Sequence, residues 1–186
     1  MNRRCSCISA AFAVAQHQCR AVLALLLYGA RLAGLSLDYV QGYTEVVRNF
    51  YSQTRIEDSV EEGVGPVRTM VHGRITHGEQ YLQHPRQPTA YYCERSGVAR
   101  ALASLPTDRP RHIGVVGLGA GTMAVYGRSG DEMRMYEIND QVLDLAKQHF
   151  SYLKNTPARI VPVLGDGRLM LEREEPQGFD LLAMDA

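Results

Sequence analysis

The chain has 186 residues, enough for one domain of ordinary size or for one domain with a small addition. Lysine plus arginine and aspartate plus glutamate number 20 each, so the formal charge is zero, which excludes a protein that holds nucleic acid by bulk charge. Hydrophobic residues make up 45% and charged residues 22%, which excludes a disordered chain. The cysteines form no metal-ligand or disulfide pattern, so we expect a reducing, cytoplasmic environment.

The N-terminal segment 1–40 differs in composition from the rest of the chain. Residues 8–37 are rich in alanine and leucine and contain no acidic residue. Arg20 and Arg31 interrupt the apolar run, so no clean window of about twenty uncharged residues exists for a membrane span. An A-x-A pattern at 13–15 also fits a secretory signal. We favour a membrane-proximal or packed helix, with the arginines reaching the interface, over a cleaved signal.

The next segment, 41–88, is predicted to be a small β-rich domain. β-Branched and aromatic residues fill 46–51 and 66–72, and a glycine-containing turn at 61–65 separates them. A second tight turn at 72–74 continues the pattern, which indicates antiparallel hairpins.

Two histidines, His72 and His77, flank the second turn. At this spacing in strands we expect them to pack or to face solvent rather than to bind a ligand.

The segment 89–186 alternates strands and helices. Buried-strand runs follow one another at regular intervals, and amphipathic helical patterns lie between them or before them. This alternation predicts a parallel sheet with right-handed crossovers. The predicted strands are 112–117, 132–137, 158–164 and 179–185, and the predicted helices are 96–105, 141–150 and 168–173.

The residues that close the four predicted strands are the candidate site, because ligands bind beyond the carboxyl ends of parallel strands. The first strand ends in a glycine loop at 117–121, and the later strands lead to Glu137, Asp166 and Asp185. Each acid taken alone could be a solvated strand end, a turn residue or a cap. Their convergence on one sheet edge favours a shared ligand.

The glycine loop has the pattern G-x-G-x-G rather than the G-x-G-x-x-G of dinucleotide sites. This spacing favours a nucleoside without a pyrophosphate over a nicotinamide dinucleotide. Glu137 lies twenty residues after Gly117, where a carboxylate can accept hydrogen bonds from both ribose hydroxyls. Asp166, followed by Gly167, is then placed to accept from the exocyclic amine of adenine.

Together these motifs resemble the spermidine synthase family of aminopropyltransferases, which share the fold of S-adenosylmethionine-dependent methyltransferases. The likeness covers about residues 46–186. The residues of these motifs are similar to those of a bacterial branch in which the synthase-like domain follows membrane helices. The motifs that carry it are TAYYCE at 89–94, GLGAG at 117–121, YEIN at 136–139, GDG at 165–167 and FDLLAMD at 179–185.

The resemblance implies an α/β fold with a methyltransferase-like (Rossmann) parallel sheet. The sheet would be incomplete, with about four strands, and would follow a small antiparallel β-domain and an apolar N-terminal helix. The expected domains are 1–40, 41–88 and 89–186. Because the likeness stops at Ala186, soon after the fourth strand, we expect a C-terminally truncated, poorly active fragment.

The implied function is transfer of an aminopropyl group from decarboxylated S-adenosylmethionine to a polyamine such as putrescine, with no metal. Asp185 would be the acid–base residue, and Tyr92 would orient the attacking amine. The partners would be small polyamines and no nucleic acid, with membrane association through the N-terminal segment and a homodimer as further options. The residues implied to bind the co-substrate are Gly117, Leu118, Gly119, Gly121, Glu137, Asp166 and Gly167.

One departure from the family pattern leaves alternatives open. The family's glycine loop carries an acid where this chain has Ala120, and that acid helps to hold the aminopropyl ammonium. A methyltransferase that uses intact S-adenosylmethionine is therefore the alternative enzyme. A catalytically inactive adenosyl-binding module is the alternative outside the enzymes.

Overall fold

The computed structural model describes the backbone of residues 4–185 and the side chains of residues 18, 20–37 and 41–185. The chain divides into two compact units, Met1–Gly42 and Tyr43–Ala186. The predicted boundary between 41–88 and 89–186 falls inside the second unit and stays a prediction.

The first unit consists of helix α1 (Arg4–Val40), which agrees with the predicted apolar N-terminal helix. Among the described residues, the window Arg20–Leu37 is long and apolar enough to cross a membrane, with a mean hydropathy of 1.4. A signal sequence passes the same test of length and composition, so the preference for a membrane-proximal helix stays a prediction. The side chains of the A-x-A pattern at 13–15 lie outside the described residues.

The β-rich segment forms a four-stranded antiparallel sheet in the order β1–β2–β3–β4. Strand β2 was not predicted, because four of its nine residues are charged and only Ile56 and Val60 are apolar, which leaves little apolar alternation. The predicted strand 46–51 ends early, because the amide of Asn49 donates to the carbonyl of Ser52 (3.0 Å) and turns the chain. The strands are β1 (Glu45–Arg48), β2 (Gln53–Glu61), β3 (Gly65–His72) and β4 (Ile75–Tyr81).

The second half of the chain forms a four-stranded, all-parallel sheet in the order β7–β6–β5–β8. The predicted fold class is therefore confirmed. The chain moves from β5 outward to β7 and then returns to place β8 on the other side of β5, so the strand order reverses beside β5. Ligand crevices form at such a reversal. The strands are β5 (His112–Val116), β6 (Glu132–Glu137), β7 (Arg159–Leu164) and β8 (Leu181–Met184).

The helices begin where side chains cap their first turns. Ser96 accepts from the amide of Ala99, and Asn139 accepts from the amide of Gln141, as expected for N-caps. The crossover between β5 and β6 contains only a short 3-10 helix, Thr122–Tyr126. The α-helices of this unit are α2 (Gly97–Ser104), α3 (Asp140–His149), α4 (Tyr152–Asn155) and α5 (Gly167–Arg173), and a further 3-10 helix spans Ala90–Tyr92.

The two sheets share one hydrophobic core. Ile56 and Met70 of the antiparallel sheet belong to the same buried cluster as Ile113 and Met133 of the parallel sheet. A buried polar side chain adds a second link, because Gln80 on β4 donates to the hydroxyl of Ser151 (2.8 Å) and accepts from the amide of Ser151 (3.1 Å). The antiparallel sheet is thereby held against the parallel one.

Candidate active site

A cleft of about 1050 Å³ opens at the carboxyl ends of the parallel strands. It has the size of a small-molecule site and lies where the strand order reverses. The glycine loop after β5 and the ends of the three other strands all contribute to its walls. The predicted site residues that line it are Gly117, Gly119, Glu137, Asp166, Gly167 and Asp185.

Three predicted site residues lie behind the lining. Leu118 is buried, and its backbone amide donates to Glu137 (3.1 Å). Gly121 precedes the 3-10 helix Thr122–Tyr126 and adopts a left-handed conformation there. Tyr92 is buried, and its hydroxyl donates to Asp185. These three residues are therefore not among those that line the cleft.

The glycine loop is docked on strand β4 of the antiparallel sheet. The amide of Ala120 donates to the carbonyl of His77 (3.0 Å). A Cβ at Gly119, whose φ is +52°, would lie only 2.3 Å from that carbonyl oxygen. A Cβ at Gly78 would lie 2.7 Å from the Cβ of Ala120. Glycine on both sides is what allows the two backbones to approach this closely.

Glu137 is 8% exposed and is fixed by two backbone amides. Its Oε2 accepts from Leu118 (3.1 Å), and its Oε1 accepts from Asn139 (2.9 Å). Each carboxylate oxygen has two lone-pair positions, so both still have capacity toward the cleft. The arrangement holds a carboxylate in one orientation at the wall of the cavity.

Asp166 begins helix α5 and is exposed. Its Oδ1 accepts from the amide of Leu169 (3.0 Å), which leaves Oδ2 without a described partner. Apolar side chains line the cleft between Asp166 and Glu137, among them Ile138, Val142 and Leu171. Such a surface suits the face of a flat aromatic ligand with polar edges.

Asp185 follows β8 and meets two tyrosines of the 3-10 helix Ala90–Tyr92. Burial, together with the hydrogen bond to Asp185, raises the pKa of Tyr92 well above its usual value. Burial and the same carboxylate raise the pKa of Tyr91 to about 12. Both phenols therefore stay protonated at neutral pH and act as donors toward a carboxylate.

The sequence pattern did not place His72 and His77 at the site, yet both side chains line the cleft. Their ring centroids are 5.0 Å apart. The expectation that they pack or face solvent rather than bind a ligand stays a prediction. The one available signal was the repeated His-Gly pair, at 72–73 and 77–78, on either side of a hairpin turn.

No family model matches the chain, and no curated protein matches it. Among solved structures it is similar to spermidine synthase from Thermotoga maritima, with 15% identity and a TM-score of 0.52 over 77% of this chain and 46% of that chain. It is also similar to a probable spermidine synthase from Corynebacterium glutamicum, with 18% identity and a TM-score of 0.58 over 76% of this chain and 51% of the other.

A third similar structure is a spermidine synthase in complex with the transition-state analogue AdoDATO, with 14% identity and a TM-score of 0.51 over 77% of this chain. The chain spans about half the length of these solved structures. At these identities the likeness shows a spermidine synthase-like fold. The resemblance to a membrane-fused branch stays a prediction.

Proposed function

We propose that the chain is a transferase of the spermidine synthase type, which moves the aminopropyl group of decarboxylated S-adenosylmethionine to a polyamine such as putrescine. The observation that carries the proposal is the meeting of Glu137, Asp166 and Asp185 with the glycine loop in one cleft. The fold of the similar spermidine synthases supports it.

The nucleoside of the donor would lie between β5 and β7. Glu137, held from behind by two amides, would accept from the ribose hydroxyls. Asp166 would accept from the adenine amine through its remaining oxygen, and the apolar side chains between the two acids would cover the ring. The glycine loop at 117–121 would let the chain approach the donor without side chains in the way.

At the acceptor end of the cleft, Asp185 would form the wall, and Tyr92 behind it would orient the attacking amine through Asp185. A polyamine is cationic at neutral pH, so a carboxylate attracts it, and one nitrogen must lose a proton before it can attack. The hydrogen bond from Tyr92 would keep the carboxylate of Asp185 in one orientation. Because a sulfonium is already a good leaving group, correct placement of amine and donor supplies much of the remaining rate.

Ala120 favours a second candidate, a methyltransferase that uses intact S-adenosylmethionine. Its side chain is 1% exposed, and its amide is bonded to His77. The loop therefore offers a buried methyl group where an acid would hold the ammonium of an aminopropyl chain. The two candidates share the nucleoside site and differ in the transferred group.

The test is to incubate the full chain with each donor and putrescine and to identify the product by mass spectrometry. Aminopropylated product supports the proposal, and methylated product supports the alternative. Asp185→Asn should raise the KM for putrescine without removing binding of 5′-methylthioadenosine in calorimetry. The matched control is Asp144→Asn, an exposed acid on α3 outside the cleft.

Two outcomes contradict transfer chemistry. Nucleoside binding without product in the wild type and in Asp185→Asn would identify a non-catalytic adenosyl-binding module. A wild-type chain that binds no nucleoside would overturn the proposal altogether.

For the location, we propose a cytoplasmic protein associated with a membrane through α1. The apolar window Arg20–Leu37 supports this. In a flotation experiment, the wild-type chain should rise with lipid vesicles. The double variant Leu25→Glu and Leu26→Glu should not, because burying acids in a bilayer is unfavourable.

A further inference from the structure

We propose that His77 is the group that accepts the proton of the incoming amine, while Asp185 holds the positive charge. The inference rests on the proposed transferase function and refines it, because the family resemblance implied that Asp185 transfers the proton. It follows from where His77 is held, from the charges around it and from the contacts of Asp185.

His77 is fixed beside the donor loop. Its carbonyl accepts from the amide of Ala120, and the glycines on both sides bring the two backbones into contact. Its side chain lines the same cleft as Glu137 and Asp185. The imidazole thus lies near the carboxylates of both the proposed ribose end and the proposed acceptor end.

The surroundings of His77 favour its neutral form. Its ring centroid lies 5.0 Å from that of His72, and like charges at that distance would repel each other. Burial lowers the pKa of His77 below its usual value, and His72 on β3 lowers it further. The carboxylates of Glu137, at the end of β6, and Asp185, after β8, act in the opposite direction and raise it. A neutral imidazole at pH 7 can receive a proton.

His72 is less suited to this task than His77. The Nε2 atom of His72 is buried and has no hydrogen-bond partner among the residues that the structure describes. A nitrogen that is closed off in this way does not reach a substrate in the cleft. Its ring instead lies beside that of His77, which makes His72 a positioning residue.

Asp185 is engaged by two tyrosines of the 3-10 helix Ala90–Tyr92. The hydroxyl of Tyr92 donates to it, and Tyr91 lies close to its charge. An imidazole is in general a stronger base than a carboxylate, with reference pKa values of about 6.5 and 3.9. The two phenols are themselves held protonated, so they do not accept a proton.

The proposed reaction has two balanced parts. The ammonium of the acceptor gives one proton to the imidazole of His77, which becomes imidazolium, and leaves a neutral amine. The lone pair of that amine forms a bond to the carbon attached to sulfur, the carbon–sulfur bond breaks, and its electron pair makes a neutral thioether. The product nitrogen carries the positive charge, and His77 returns its proton to solvent.

The test is the pH dependence of single-turnover transfer in the full chain, between about pH 5.5 and 9. With the wild type, the rate should level off above about pH 6.5, because the imidazole is then neutral. His77→Gln should lower the rate at pH 7 about 100-fold or more. Its rate should then rise about tenfold per pH unit, since only the free amine, with a pKa near 10, reacts without a base.

Matched variants distinguish this from a structural effect. His84→Gln, an exposed histidine outside the cleft, should behave as the wild type. Asp185→Asn should raise the KM for the amine while the rate still levels off near neutral pH. His77→Gln should bind 5′-methylthioadenosine with unchanged affinity.

Three results overturn the inference. One is a His77→Gln rate within about threefold of the wild type with the same pH profile, since a base supplies more than that. Another is loss of nucleoside binding in that variant, which assigns His77 a structural role. The third is a wild type that transfers no group from either donor, which means that the proposed function itself fails. This result can be told apart from the first two because they are seen in His77→Gln, whereas it is seen in the wild-type chain.

Discussion

The hydroxyl of Tyr92 donates a hydrogen bond to Oδ2 of Asp185, although the two residues are 93 positions apart in sequence. Tyr92 is held at its other end as well, because the hydroxyl of Tyr126 donates to its backbone carbonyl. The contact joins the 3-10 helix before the parallel sheet to the end of β8, the last strand. It makes the orientation of Asp185 dependent on a distant segment of chain.

Removing this contact should affect chemistry more than binding. We expect Tyr92→Phe to lower the transfer rate about 10- to 100-fold, because a hydrogen bond to a charged group contributes about 1.5–3 kcal/mol. The affinity for 5′-methylthioadenosine should stay unchanged. Single-turnover rates and calorimetry measure the two quantities.

The control for Tyr92→Phe is Tyr43→Phe, which removes a hydroxyl that accepts from Arg55 outside the cleft. It should leave the transfer rate unchanged. Equal losses of rate in both variants would contradict a role for the Tyr92–Asp185 contact.

Glu137→Gln should weaken nucleoside binding and reduce stability together. The glutamine side chain has an NH2 donor in place of one carboxylate oxygen, so one of the two buried backbone amides, of Leu118 or of Asn139, faces a donor and loses its partner. We expect the free energy of unfolding to fall by about 1–3 kcal/mol and the affinity for 5′-methylthioadenosine to fall about tenfold or more. Urea unfolding and calorimetry test this, with the exposed Glu175→Gln as the unaffected control.

The stability of the chain should decrease in mild acid because of His77. Burial, with a contribution from His72, lowers the pKa of His77 in the folded state, while the unfolded chain has the ordinary value near 6.5. As the pH falls below about 6.5, the unfolded state binds a proton that the folded state does not, so the free energy of unfolding falls. The loss is complete below the folded-state pKa.

Urea unfolding at several pH values, with wild type and His77→Gln side by side, measures this contribution. The variant should lose less stability between neutral pH and about pH 5.5. Parallel curves for the two proteins would show that His77 is not held neutral by the fold.

Gly119→Ala should disturb the docking of the glycine loop on β4. The new Cβ would lie 2.3 Å from the carbonyl oxygen of His77, and the position has a positive φ of +52°. We expect a loss of about 2 kcal/mol or more in the free energy of unfolding, together with weaker nucleoside binding. Gly97→Ala is the control, since a Cβ there meets nothing within 4 Å. A Gly119→Ala chain as stable as the wild type would contradict the close approach.

Local patterns predicted the parallel sheet well for a physical reason. Its central strand β5 is an apolar run with four buried residues in succession, and a glycine loop follows it directly, so the end of that strand can be read from neighbouring residues alone. Strand β2 has no such run, because its second half, from Asp58 to Glu61, is exposed and charged residues interrupt its few apolar ones. The same rule therefore found the sheet that carries the cleft and missed a strand of the smaller one.

The sequence by itself determined the fold class and the row of strand ends at Gly117, Glu137, Asp166 and Asp185, since parallel strands must present their carboxyl ends along one edge. Only the tertiary structure decided that His77 joins that row. Its place depends on a backbone contact between β4 and the glycine loop, which forms because Gly78 and Gly119 leave room for it. Contacts between segments far apart in sequence have no periodicity of their own, so they appear only when the chain is folded.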